Sequence, residues 1–156
     1  MKKRTAWVDC ATLGPVGHTI APGTIATLFM LPIIYWLRVT IADEWHYTAL
    51  IILVTVFAFF CIGRALPSFY HQSDPSAVVL DEVLGVLITF WAVPAYLQWF
   101  VLGFILFRFF DILKPLGLKK VEMIRGPLGV MLDDIIAGLI SNGLLLLCCH
   151  YLPVYF

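Results

Sequence analysis

Five apolar runs, each close to the ~20 residues a helix needs to cross a bilayer, occupy most of this chain of 156 residues. They lie at about 20–37, 48–66, 77–93, 97–113 and 130–147. A segment inside a bilayer has no water to satisfy its backbone, so runs of this pattern fold as helices. Composition agrees: 62% of residues are hydrophobic and 13% are charged, with a mean hydropathy of +0.96, where soluble domains carry about 25% charged residues. The expected fold is an all-α integral membrane protein, a polytopic bundle of four to five transmembrane helices forming one domain over residues 1–156. The first run is the least regular span. Pro32 interrupts it, and a re-entrant or interfacial element fits it as well. Ten basic and ten acidic side chains cancel, so no net field recruits nucleic acid.

Local signals punctuate the runs. Pro22 suits the first turn of a helix, Ser76 is placed to cap the third run, and Pro115 stops the fourth. The fifth starts after Gly126-Pro127-Leu128-Gly129. Met1-Lys2-Lys3-Arg4 resembles the basic start of a secretory signal. A polar stretch separates it from the first apolar run, and no small-residue cleavage site follows, so it is expected to stay uncleaved. Cys10, Cys61, Cys148 and Cys149 lack ligand-like spacing and read as small buried hydrophobes.

The ionisable residues are the exception to this apolar background. Such a side chain at mid-membrane costs about 2.5–3.5 kcal/mol. Yet Asp81 and Glu82 open the third run, Arg108, Asp111 and Lys114 close the fourth, and Asp133 and Asp134 open the fifth. With a cytoplasmic N-terminus, Lys2, Lys3, Arg4, Arg64, Lys114, Lys119, Lys120 and Arg125 fall inside and only Arg38 outside, as the positive-inside rule requires. The same topology brings the Pro22-Gly23-Thr24 turn, both acidic pairs and the Arg108–Lys114 stripe to the cytoplasmic face.

Each acidic pair has small residues one turn on: Gly85 after Asp81-Glu82, and Ala137 and Gly138 after Asp133-Asp134. Residues four apart share a helix face, which leaves room for a neighbouring helix or an ion. Acids also favour a helix N-terminus through the macrodipole, but that explains one acid per helix rather than two. All-oxygen ligand sets favour Mg²⁺, Mn²⁺ or Ca²⁺ over Zn²⁺. Arg108, Asp111 and Lys114 recur every three residues. One reading is an intrahelical Arg–Asp pair with Lys114 reaching to the surface. The other gives Asp111 to a metal and both cations to a phosphate, Arg as a bidentate fork and Lys as a point charge. The turns at 22–24 and 126–129 are either anion cradles or ordinary helix entries. Asn142 reads as a helix–helix hydrogen-bonding group, His18 and His71 as candidate proton shuttles on the site side, and Lys119, Lys120 and Arg125 as headgroup-attracting charges.

Four motifs in order carry a resemblance: Pro22-Gly23-Thr24; Asp81-Glu82-x-x-Gly85 with Ile88-Thr89; Gly103-Phe104-x-x-Phe107-Arg108-x-x-Asp111-x-x-Lys114-Pro115; and Gly129-Val130-Met131-x-Asp133-Asp134-x-x-Ala137-Gly138. Together, over about residues 14 to 143, they resemble the phosphatidylglycerophosphatase A family. That resemblance implies a Mg²⁺-dependent, multi-pass lipid phosphatase of bacterial inner membranes. Its substrate would be phosphatidylglycerophosphate, whose terminal phosphate is removed to leave phosphatidylglycerol. Asp81, Glu82, Asp111, Asp133 and Asp134 become the expected catalytic and metal-holding carboxylates, and Arg108, Lys114 and Thr24 the expected phosphate-binding groups. Two departures stand out. Gly117 replaces a second proline after Lys114-Pro115, and Pro127 removes one N–H from a loop that is usually G-G-x-G. Attack by water and an aspartyl-phosphate intermediate are both open. Two rival classes share the composition: a cation or proton transporter subunit, which needs polar groups through the midplane, and a structural subunit whose charges only pair helices. Oligomeric state is not readable.

Overall fold

The computed structural model describes residues 5–41, 43–69, 75–114, 124 and 126–152. The described residues contain helices and no strand. The helices are α1 (Ala6–Ala11), α2 (Pro22–Thr40), α3 (Glu44–Ala65), α4 (Leu80–Thr89), α5 (Leu97–Leu113) and α6 (Pro127–Tyr151), with 3-10 turns at Val16–His18 and Leu66–Ser68.

Three of these are long and apolar enough to cross a membrane: α2, α3 with its extension to Ser68, and α6. The all-α membrane class therefore holds, with three candidate spans among the described residues. α2 continues through Pro32 for 19 residues, so the break expected there does not occur. A proline removes one rung of the ladder, and the apolar helix runs on past it. α5 coincides with the expected run and ends where Lys114 turns left-handed (φ 43°). α6 begins at Pro127, in the favoured first helical position.

The third run is the main correction. Only Leu80–Thr89 is helical, about 15 Å long, and Val79 rather than Ser76 holds the N-cap position. Every residue of α4 except Glu82 is buried. A segment apolar on all sides is as well suited to the middle of a bundle as to lipid, and α4 takes the middle.

A helix that ends in apolar surroundings must have its last carbonyls satisfied by protein. Asn142 Nδ2 donates to Thr89 O (3.0 Å) and Trp91 O (2.7 Å), the helix–helix role expected of it. Tyr47 Oη donates to Leu87 O (3.1 Å) and Arg38 Nε to Val93 O (3.1 Å). Glu44 holds Arg38 by two bonds of 3.0 and 2.8 Å. At the other end, Val79 N–H donates to Ala11 O (3.0 Å), tying α1 to the start of α4.

α4 and α6 run parallel in a constant register: Asp81 beside Asp134, Gly85 beside Gly138, and Thr89 beside Asn142, 53 residues apart. A Cβ on Gly138 would strike the Gly85 carbonyl, and one on Gly85 would meet the Phe107 ring and, at 2.9 Å, the Asp134 carbonyl. The small residues beside the acids thus admit a neighbouring backbone, as small-residue seams do in membrane helices. Asn142→Leu should lower stability by about 1–3 kcal/mol, because two buried carbonyls lose their donor. In thermal unfolding of the detergent-purified protein, Leu139→Ala, on an exposed position of the same helix, should shift Tm far less. Equal shifts would show that the amide clamp is not what holds α4.

Candidate active site

Four helix ends meet around one hollow of about 290 Å³. α2 contributes its first turn, α4 its first turn, α5 its last, and α6 its second. The hollow is lined by Thr24, Asp81, Glu82, Arg108, Asp111, Lys114, Asp133 and Asp134, so the expected metal-holding and phosphate-binding residues all reach it. Ser76 and Ile112 also line it. The sequence offered no signal for Ile112, and Ser76 had been assigned to a cap. His18 is exposed and outside the hollow. The turn at 126–129 does not line it. His71, Pro115, Lys119, Lys120 and Arg125 lie outside the described residues.

The acids divide into two sets. Carboxylate oxygens of Asp81, Glu82 and Asp134 all lie within 4.8 Å of one another, and Asp81 Oδ1 accepts the Glu82 N–H (3.1 Å). Asp111 pairs with Arg108 on the same helix and also touches the Asp134 carboxylate. Asp133 pairs with Lys114 across two helices, Oδ2 to Nζ at 2.6 Å. The intrahelical pair of the first reading therefore forms, but Lys114 turns inward to α6 rather than outward to the surface.

The donor set fits a divalent cation on three counts. Three carboxylates crowded together repel strongly in a medium of low dielectric. Buried Glu82 Oε2 and Asp133 Oδ1 have no hydrogen-bond partner among the described residues, a costly state for a carboxylate oxygen. Finally, five carboxylates line the hollow against two cationic side chains, so an anionic ligand could not enter without added positive charge. Oxygen ligands alone suit Mg²⁺, Mn²⁺ or Ca²⁺.

The α2 entry turn completes the wall. Its intrahelical ladder starts at Ile25 N–H to Ala21 O, which leaves the Gly23 and Thr24 amides as first-turn donors. A Cβ on Gly23 would land on the Glu82 carboxylate and lie 3.0 Å from Arg108 Nη1. Thr27 Oγ1 fixes this glycine by donating to its carbonyl (2.7 Å).

Carboxylates and cations gathered at the ends of apolar helices make this hollow a charged site in a membrane protein. Comparison with known proteins resolves the class. The family model for phosphatidylglycerophosphatase A matches residues 10–149, and the chain belongs to that family. A phosphatidylglycerophosphatase A of Escherichia coli is 33% identical over 144 residues, covering 86% of this chain and 78% of that one. One of Haemophilus influenzae is 41% identical over 68 residues, 42% of each chain. A protein of Bacteroides thetaiotaomicron with the provisional name phosphatidylinositol-3-phosphatase is 42% identical over 127 residues, 78% of this chain and 79% of that one. No solved structure matches the chain significantly. The chain is thus a phosphatase of the membrane.

Because the Gly23 side faces Glu82 and Arg108 directly, Gly23→Ala should leave Tm nearly unchanged. It should cut turnover by about a hundredfold, the scale on which small displacements act at a reacting centre. The check is phosphatase rate beside thermal unfolding; undiminished turnover would mean that this approach is not part of the working site.

Proposed function

We propose that the protein hydrolyses the terminal phosphomonoester of phosphatidylglycerophosphate, giving phosphatidylglycerol and phosphate, in a Mg²⁺-dependent reaction at the cytoplasmic face of a bacterial inner membrane. The observation that carries this reading is the meeting of Asp81, Glu82 and Asp134 with Arg108 and Lys114 in one hollow at the helix ends. Family membership supports the substrate. Cytoplasmic orientation is supported by the basic residues: among the described ones, Arg64 and Lys114 lie at the helix ends on the site's side and Arg38 at the opposite end.

In this mechanism Asp81, Glu82 and Asp134 hold the cation, with Asp111 and Asp133 adjoining as further carboxylates. The chemistry a divalent cation supplies here is neutralisation of the phosphoryl oxygens and activation of water. Arg108 and Lys114 turn from their carboxylate partners to the phosphate, Arg108 by a two-pronged hydrogen bond and Lys114 as a point charge. Thr24 and the amides at the start of α2 face the same anion, favoured by the positive end of the helix dipole. The carboxylates released in that exchange are then free to accept a proton from the attacking group. The glycerol and acyl chains stay on the membrane side of the hollow.

Depth argues against the transporter alternative. Below the acids the α4–α6 seam closes at Gly85 and Gly138, Asn142 beyond it is committed to carbonyls, and the other buried polar side chain of α6 at that depth is the uncharged Ser141. Phosphate release from phosphatidylglycerophosphate by the purified protein in detergent tests the proposal, with Mg²⁺ and after chelation, and with phosphatidylinositol-3-phosphate as the competing substrate. Release should require Mg²⁺, should favour phosphatidylglycerophosphate, and should fall at least about a hundredfold in a folded Asp134→Asn variant. Asp134→Asn that loses folded protein and activity in equal measure would support the purely structural role for the charges instead.

A further inference from the structure

An apolar groove of about 550 Å³ lies between α2 and α5, with Leu28, Leu31 and Tyr35 on one wall and Leu97, Phe100 and Val101 on the other. These are the same two helices that bring Thr24 and Arg108 to the hollow. On α2, Thr24, Leu28, Leu31 and Tyr35 follow at four, three and four residues, one helix face. On α5, Leu97, Val101, Arg108 and Asp111 fall on one face by the same rule, with apolar Phe104 and Ile105 between. Along both stripes the chemistry changes once, from polar at the hollow to predominantly apolar below it. From Thr24 to Tyr35 the helix rises about 16 Å, roughly half of the ~30 Å hydrocarbon core.

We infer that this groove seats one acyl chain of the phospholipid whose phosphate occupies the hollow. The inference rests on the proposed function and adds where the substrate's tail runs. A second apolar groove, between α3 and α6, does not carry the same argument, because α3 supplies no residue to the hollow. In the α2–α5 groove both walls continue into the site, so one lipid molecule can lie along a single seam, head at Arg108 and tail at Tyr35. The floor is pre-formed. Phe100 is buried, stacked on Phe90 at 4.2 Å between ring centroids and touched by the edge of Tyr35 at 5.3 Å. Leu28 and Val101 are half-exposed, one on each wall of the groove, with Leu28 nearer the hollow.

Leu28→Trp and Val101→Trp fill the groove without touching the hollow. Phosphate release would be measured from dioleoyl and from dihexanoyl phosphatidylglycerophosphate in mixed micelles. For the dioleoyl lipid KM should rise about tenfold or more in each variant, the scale on which apolar pockets discriminate, with kcat kept. For the dihexanoyl lipid, whose chains end near the mouth, both constants should stay at the wild-type level. Equal losses on the two lipids, or no change on either, would overturn the inference. If the wild type releases phosphate from neither lipid, the proposed substrate fails, and a second arm still tests the groove. Phosphatidylglycerol with a diazirine-bearing acyl chain would be photolysed on the intact protein. Label concentrated on residues 28–35 and 97–101, and displaced by excess unlabelled lipid, supports the groove. Label spread evenly over the lipid-facing helices removes it.

Discussion

The close approach of α4 and α6 at Gly85 and Gly138 is the constraint on which the rest of the structure depends. With no side chain between the two backbones, helices that run parallel are locked at a fixed separation and register. One turn towards the site this sets Asp81 against Asp134; one turn away it sets Thr89 against Asn142. Three functions of one seam thus follow from two missing side chains: the acids are positioned, the backbones interlock, and the open end of α4 is closed. Phe107 of α5 packs onto the same glycine, so the helix carrying Arg108 is referenced to the seam as well.

A buried half-length helix creates a demand that the far end of the molecule is organised to meet. Asn142, Tyr47 and Arg38 come from three different helices to the carbonyls at and beyond the end of α4. Arg38 is itself neutralised by Glu44, so the one charge brought to that depth arrives paired. The catalytic end has no such closure. There the unpartnered oxygens and crowded carboxylates persist, and a cost in stability is concentrated where a cation would relieve it.

Much of this was legible in the sequence. Apolar runs marked the helices, and α5 falls on its expected limits because Pro115 stops it and its residues are apolar over most of its length. All eight residues expected at the site line the hollow, since acids and cations in such surroundings are too costly to leave facing lipid. What the sequence did not carry was depth. The run at 77–93 is as hydrophobic as its neighbours, and hydropathy cannot distinguish lipid from the inside of a bundle, so the short central α4 was read as a span. Nor could spacing tell which carboxylates would cluster. Asp133 and Asp134 are adjacent, but a helix turns them about 100° apart, one to Lys114 and the other to Asp81 and Glu82.

The pairing of Arg108 with Asp111 and of Lys114 with Asp133 has a consequence for what the enzyme can hold. On the proposed function, a phosphate arriving at these cations would trade places with a carboxylate, so that its net gain is the difference between two similar attractions. Free orthophosphate, bringing charge alone, wins little by the exchange. A ligand anchored in the bilayer arrives at high local concentration and can complete the trade, and once the phosphoester bond is cut, the released anion loses that advantage. On the proposed function, the site would therefore act as an ion exchanger that favours tethered anions over its own inorganic product.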